Sequence, residues 1–202
     1  MSTALYPVFL KLDGLPVVVV GGGPIAAGKL DGLLAAGARV TVIAPVIVNA
    51  IRALADPRIT LVERAFVPAD LDGARWVVAA APPEVNQQVS AAATARGLFV
   101  NAVDDTSAAT AYLGGVIRRG EVEVAISTGG AAPALAGLLR EALDSLLPHD
   151  LDRWVDVAKR ARADWKRSGV PITVRRSLLL RTLIQLYRGD VLPLLDKQRG
   201  VA

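Results

Sequence analysis

Cysteine is absent from the 202 residues, which rules out disulfides, thiolate nucleophiles and cysteine-ligated metals and fits a reducing, cytoplasmic setting. Histidine occurs once, as His149, so no metal site can be built on three imidazoles. Its place beside Pro148, at a helix boundary, reads as a capping or surface position. Aromatic residues are scarce, 4% against 52% hydrophobic residues overall, so the core is expected to consist of Val, Ala and Leu, joined by Trp76 and by much of Trp154 and Trp165. No run of 18 apolar residues escapes interruption by a charge or a turn signal, which predicts no membrane-spanning helix. The opening Met-Ser-Thr-Ala-Leu-Tyr-Pro has neither the basic start nor the apolar centre of an export signal.

What the chain does have is a glycine-rich bend. Residues 17–30 read Val-Val-Val-Val-Gly-Gly-Gly-Pro-Ile-Ala-Ala-Gly-Lys-Leu: a β-branched strand, three glycines, then a helix-compatible run. A dinucleotide pyrophosphate needs that order, because a bend without side chains lets the backbone approach the phosphates and a helix N-terminus offers free N–H groups. Gly21, Gly23 and Ala26 occupy the three positions of G-x-G-x-x-G/A. No acidic residue closes the second strand, where Val40-Thr41-Val42-Ile43 runs into Ala44-Pro45. The choice between NAD and NADP therefore stays open, with the ribose held by backbone around Pro45–Val46.

Strand candidates are Val17–Val20, Val40–Ile43, Ile59–Glu63, Trp76–Ala80 and Phe99–Asn101, with helices at Ile25–Ala36, Val46–Leu54 and Glu84–Arg96 between them. Short apolar strands alternating with helices predict an α/β fold with a doubly wound, Rossmann-like parallel sheet. Gly37 and Gly97 follow Ala-rich helices where a C′ glycine belongs. Beyond Asn101 the rhythm changes. Ala111–Leu113 and Glu121–Ser127 read as strands around turns at Gly114-Gly115 and Arg118-Arg119-Gly120. Helices follow over about Ala134–Leu147, Leu151–Ser168 and Ile172–Arg188, and Gly189–Ala202 reads as a tail. The expected division is a dinucleotide-binding domain at 1–110, a small β-containing dimerisation region at 111–148 and a helical C-terminal part at 149–202.

Two further sites stand out. Asn101-Ala102-Val103-Asp104-Asp105 puts carboxylates past the C-terminal end of a parallel strand, where doubly wound folds bind ligands. One of the two can take a proton and the other can close an Asx-type turn; the residues alone do not say which. Ser127-Thr128-Gly129-Gly130 precedes a helix and reads either as an anion-binding concavity or as a plain N-cap. The segment from Asp152 to Arg188 holds ten Lys or Arg against three Asp. That excess suits a polyanionic partner, while solvated helix faces would account for it equally well.

In this order the segments resemble the precorrin-2 dehydrogenase family, the N-terminal module of siroheme synthases. The resemblance runs from about Tyr6 to His149. It includes Tyr-Pro-Val-Phe-Leu at the start, the glycine bend, Gly37-Ala38-Arg39-Val40-Thr41-Val42-Ile43-Ala44-Pro45, Val85-Asn86-Gln87, Asn101-Ala102-Val103-Asp104, Ile126-Ser127-Thr128-Gly129-Gly130 and Leu139-Arg140. It differs at Ala27-Gly28-Lys29, Pro82-Pro83, Tyr112-Leu113-Gly114-Gly115 and Ala132-Pro133. The resemblance implies NAD-dependent oxidation of precorrin-2 to sirohydrochlorin, on the way to siroheme or cobalamin, by a homodimer without a nucleic-acid or membrane partner. It puts the proton-handling aspartate on Asp104, with Asp105 as its structural neighbour, and the nucleotide contacts on Gly21, Gly22, Gly23, Pro24, Ile25, Pro45 and Val46. Its serine-containing loop, modified by phosphorylation in some members, falls on Ser127, Thr128, Gly129 and Gly130. Arg118, Arg119 and Arg140 are then the first candidates to meet substrate carboxylates. With no methyltransferase domain following residue 150, a stand-alone dehydrogenase is expected. Two alternatives accompany this reading: a bifunctional dehydrogenase and ferrochelatase, with metal inserted into the macrocycle rather than held by the protein, and a non-enzymatic NAD(H)-sensing protein.

Overall fold

A computed structural model of the chain describes residues 4–103, 105 and 107–186. Asp104 and the 189–202 tail lie outside the described residues, as do Tyr187 and Arg188. The chain divides into two compact units: residues up to Leu113 together with Ser127–Ala132, and Gly114–Ile126 together with the chain from Pro133.

The first unit is built on five parallel strands, β1 (Pro16–Val20), β2 (Arg39–Ile43), β3 (Ile59–Val62), β4 (Trp76–Ala79) and β5 (Val100–Ala102), in the order β3-β2-β1-β4-β5. The alternation of side chains along a strand explains how so aliphatic a sheet is covered. Val17 and Val19 of β1 pack with Ala26, Leu30 and Leu33 of α1 (Pro24–Ala35). Val18 and Val20 pack in a second cluster with Val89, Ala92 and Ala93 of the helix Pro83–Thr94. Each face of the sheet thus has its own apolar layer, as a doubly wound fold requires. Trp76 is buried in the first of them. Gly37, at φ 80°, ends α1 and donates its N–H to Leu34 O at 3.0 Å.

Three local expectations need correction. The helix expected over Val46–Leu54 is a single turn, α2 (Asn49–Arg52). Its intended first turn is extended instead, because Val48 N–H donates to Gly22 O at 2.9 Å and Ile47 is buried. Ala111–Leu113 forms no strand. The N–H groups of Thr110 and Ala111 share the Val100 carbonyl, Thr110 Oγ1 accepts from Val100 N–H, and Ala111 O accepts from the Asn101 amide, so this stretch binds the start of β5 crosswise. In the second unit, Gly115 and Arg118-Arg119 are strand residues rather than turn residues. Strand β6 (Gly115–Arg119) pairs antiparallel with β7 (Val122–Ile126), and the reversal falls on Gly120, at φ 55°. A short 3-10 turn at Pro68–Leu71 went unforeseen. With α1 and α2 as defined and α3 the Pro83–Thr94 helix, the second unit is completed by α4 (Pro133–Leu146), α5 (Leu151–Arg167) and α6 (Ile172–Leu186). Among the described residues, no helix is long and apolar enough to cross a membrane.

Candidate nucleotide-binding site

The strand order reverses between β1 and β4, so the chain leaves these adjacent strands in opposite directions and opens a crevice at their C-terminal ends. The glycine bend follows β1 there. Gly21 adopts φ 128°, and a Cβ on it would run into the Ala80 carbonyl beyond β4. A Cβ on Gly22 would strike Val46 O and the Ala44 methyl group, whereas one on Gly23 would meet nothing within 4 Å. The first two glycines are therefore demanded by the fold, and the third faces open space. Pro24 opens α1, where its missing N–H costs nothing. The first helical hydrogen bond runs from Ala27 N–H to Gly23 O, at 3.0 Å. The N–H groups of Ile25 and Ala26 thus stand ahead of the helical ladder, at its positive end.

The strap after β2 lies over the same bend. Pro45 and Val46 are exposed, and Val48 N–H to Gly22 O ties the strap down. On the far side of the crevice, Asn86 of α3 is 3% exposed, and its Oδ1 accepts the Ala81 N–H at 3.0 Å. This bond sets the path of the chain after β4. No role had been assigned to Asn86 from sequence; a polar residue on the buried face of an otherwise Ala- and Val-lined helix was the available signal. Arg52 was missed as well. Its Nη1 and Nη2 donate to the two oxygens of Glu63 at 2.8 and 2.6 Å, and its Nε donates to Ile47 O at 3.2 Å.

Gly21, Gly22, Gly23, Pro24, Ile25, Pro45 and Val46 are thus brought together. A bend forced open by close backbone packing, with an unobstructed third glycine and amides that have no partner among the described residues, fits a dinucleotide diphosphate. Asp104 lies outside the described residues. Beside it in sequence, Asp105 accepts three hydrogen bonds on one oxygen: from Ser107 Oγ at 2.6 Å, Ser107 N–H at 3.0 Å and Ala108 N–H at 3.1 Å. The Ser107 hydroxyl, followed by the Ala108 amide, holds the Asp105 carboxyl below the usual range. At the end of β5, Asn101 is buried; its amide nitrogen donates to Ala111 O, and its Oδ1 has no hydrogen-bond partner among the described residues.

In the 127–132 stretch, Ser127 Oγ accepts Gly129 N–H at 3.1 Å and Thr128 Oγ1 accepts Ala132 N–H at 3.2 Å. Both hydroxyls therefore act on neighbouring backbone. The three arginines belong to the second unit, where each has a carboxylate partner: Arg118 with Glu123 across the hairpin at 2.7 Å, Arg119 with Asp144 at 2.9 Å and Arg140 with Glu141 at 3.1 Å. These are at least partly exposed pairs, of the kind whose net stabilisation is small. His149 is exposed. Among the described residues, no three His, Asp or Glu side chains are grouped to hold a metal ion.

Comparison with known proteins yields consistent matches. Residues 8–115 match a family described as putative NAD(P)-binding, and residues 119–146 match the central part of sirohaem biosynthesis proteins. Siroheme synthase 2 of Aeromonas hydrophila subsp. hydrophila is 45% identical over 171 residues, which is 84% of this chain and 36% of that protein. Siroheme synthase 1 of Aeromonas salmonicida is 40% identical over 194 residues, 95% of this chain and 41% of that protein. The chain thus spans less than half the length of these relatives. Among solved structures, SirC, described as a precorrin-2 dehydrogenase, superposes with a TM-score of 0.69 at 26% identity, over 93% of this chain and 94% of that one.

Proposed function

The chain belongs to the family of putative NAD(P)-binding modules found in sirohaem biosynthesis proteins, and from that premise we propose that it oxidises precorrin-2 to sirohydrochlorin with NAD as acceptor. The observation that carries this reading is the glycine bend at the β1/β4 crevice: two glycines where a Cβ would run into backbone, followed by first-turn amides of α1 that have no hydrogen-bond partner among the described residues. When bound, NAD takes the hydride, so that precorrin-2 and NAD give sirohydrochlorin, NADH and a proton.

This chain's residues bind, orient and move that proton. The Gly22–Ala26 backbone holds the diphosphate by its N–H groups, and the Pro45–Val46 strap borders the adenosine ribose. Asp104 accepts the proton released as the hydride leaves. Asp105, with one oxygen committed to Ser107 and Ala108 and its carboxyl held below the usual range by them, is the weaker base, which supports giving that work to its neighbour. Ser127, Thr128 and Gly129 belong to a loop, held in shape by the two hydroxyls, that borders the anionic substrate, and Arg118, Arg119 and Arg140 meet substrate carboxylates by exchanging their present partners. The leucines exposed along α4, at 135, 138, 139, 143 and 146, suit the dimerisation role assigned to 111–148. The absence of cysteine suits reduced surroundings such as the cytoplasm.

Asp104→Asn tests the division of labour. The variant is expected to bind NAD as the parent does and to lose at least about a hundredfold in precorrin-2 oxidation under anaerobic conditions. Full turnover by the variant would remove Asp104 from the chemistry.

A further inference from the structure

Dinucleotide folds commonly read the adenosine ribose with a carboxylate at the end of β2, or accommodate a 2′-phosphate with an arginine nearby. Here β2 ends in Ile43-Ala44-Pro45 and supplies neither. Both come from the elements that follow: the carboxylate from Glu63, just past β3, and the arginine from Arg52, which ends α2. Ala44 N–H donates to Val62 O at 3.2 Å, so the residue after β3, Glu63, stands beside the bend that ends β2. Its carboxylate takes both Nη groups of Arg52, at 2.8 and 2.6 Å, and the Nε of the same guanidinium donates to Ile47 O in the strap that covers Gly22.

We propose that the Arg52–Glu63 pair selects NAD over NADP, because Glu63 neutralises the one arginine positioned to bind a ribose 2′-phosphate. This rests on the reading of the glycine bend as the dinucleotide site.

Three arginines lie between Ala44 and Asp70, and none offers an unpaired guanidinium. Arg58 is held by Asp56 and Arg64 by Asp70, both through two nitrogens. Arg58 opens β3, at the opposite end of the sheet. Arg64 points to the 3-10 turn that contains Asp70. Arg52 alone is joined to the strap. Its pair with Glu63 has no net charge, and the carboxylate repels a doubly charged phosphate while leaving a neutral 2′-hydroxyl undisturbed. The hydrogen bond from Arg52 keeps the Glu63 carboxyl below its ordinary range, so the pair stays ionised at neutral pH. Both side chains are about half exposed, at 41% and 50%, which leaves them within reach of a bound nucleotide.

The test is calorimetric titration of the full chain with NAD and with NADP. The parent is expected to prefer NAD. In Glu63→Gln the amide still accepts from Arg52 but no longer cancels its charge, and in Glu63→Ser the guanidinium is released altogether. Each is expected to shift the ratio of the two dissociation constants toward NADP by at least about tenfold, and adding Arg52→Met is expected to abolish the shift. A parent that prefers NADP, an unmoved ratio in both Glu63 variants that still bind NAD, or a shift that survives Arg52→Met would overturn the proposal. A parent that binds neither nucleotide would instead sink the dinucleotide reading beneath it.

Discussion

At the scale of single residues, the site depends on backbone that side chains would obstruct. Gly21 combines a φ of 128° with a carbonyl where a Cβ would stand, so strain and overlap act together. Gly21→Ala is expected to lower stability by about 2 kcal/mol or more in urea unfolding and to raise the dissociation constant for NAD. Unchanged stability together with unchanged binding would contradict the role given to this glycine. That glycine was legible in the sequence, because four β-branched residues before it and a proline after it leave one plausible local geometry. Glu63 was not. Its partner Arg52 lies eleven positions away at the end of α2, and spacing along the chain carries no trace of a pair made between a helix and the end of a strand.

At the scale of elements, all five parallel strands and the two long helices between them were readable, since hydrophobic runs bounded by Gly or Pro have few alternatives. Two of the three failures fell where a backbone group found a partner outside its own element. Val48 gave up a helical turn for Gly22 O, and Thr110 and Ala111 bound β5 crosswise rather than extending. Propensity cannot anticipate such competition. Entry into β3 offers a test of a different kind. Arg58, chiefly through its side-chain hydrogen bonds, holds the Asp56 carboxyl at about 2, and its Nη1 also reaches Leu34 O near the end of α1. A carboxyl depressed on folding stabilises above its unfolded value of about 3.9, and that contribution fades as pH falls toward the folded value. Asp56→Asn is therefore expected to flatten the acid side of the stability profile between about pH 4 and pH 2, as read by unfolding midpoints. An unaltered acid limb would show that the pair does not persist in solution.

At the scale of the whole molecule, composition and sequence order were enough to foresee an α/β first part followed by a small two-stranded element and helices. They were not enough to place the first strand of the hairpin, expected at Ala111–Leu113 and found at Gly115–Arg119, or to show that Ser127–Ala132 groups with the first unit while the hairpin before it and α4 after it group with the second. The excess of arginine and lysine after residue 150 fits a polyanionic substrate. The account as a whole is tested most directly by anaerobic incubation of the protein with precorrin-2 and NAD, following NADH and sirohydrochlorin together by absorbance. It predicts that the two products rise in equal amounts, far faster than without protein and in proportion to its concentration. Sirohydrochlorin appearing only at the uncatalysed rate, while the protein demonstrably holds NAD, would contradict it.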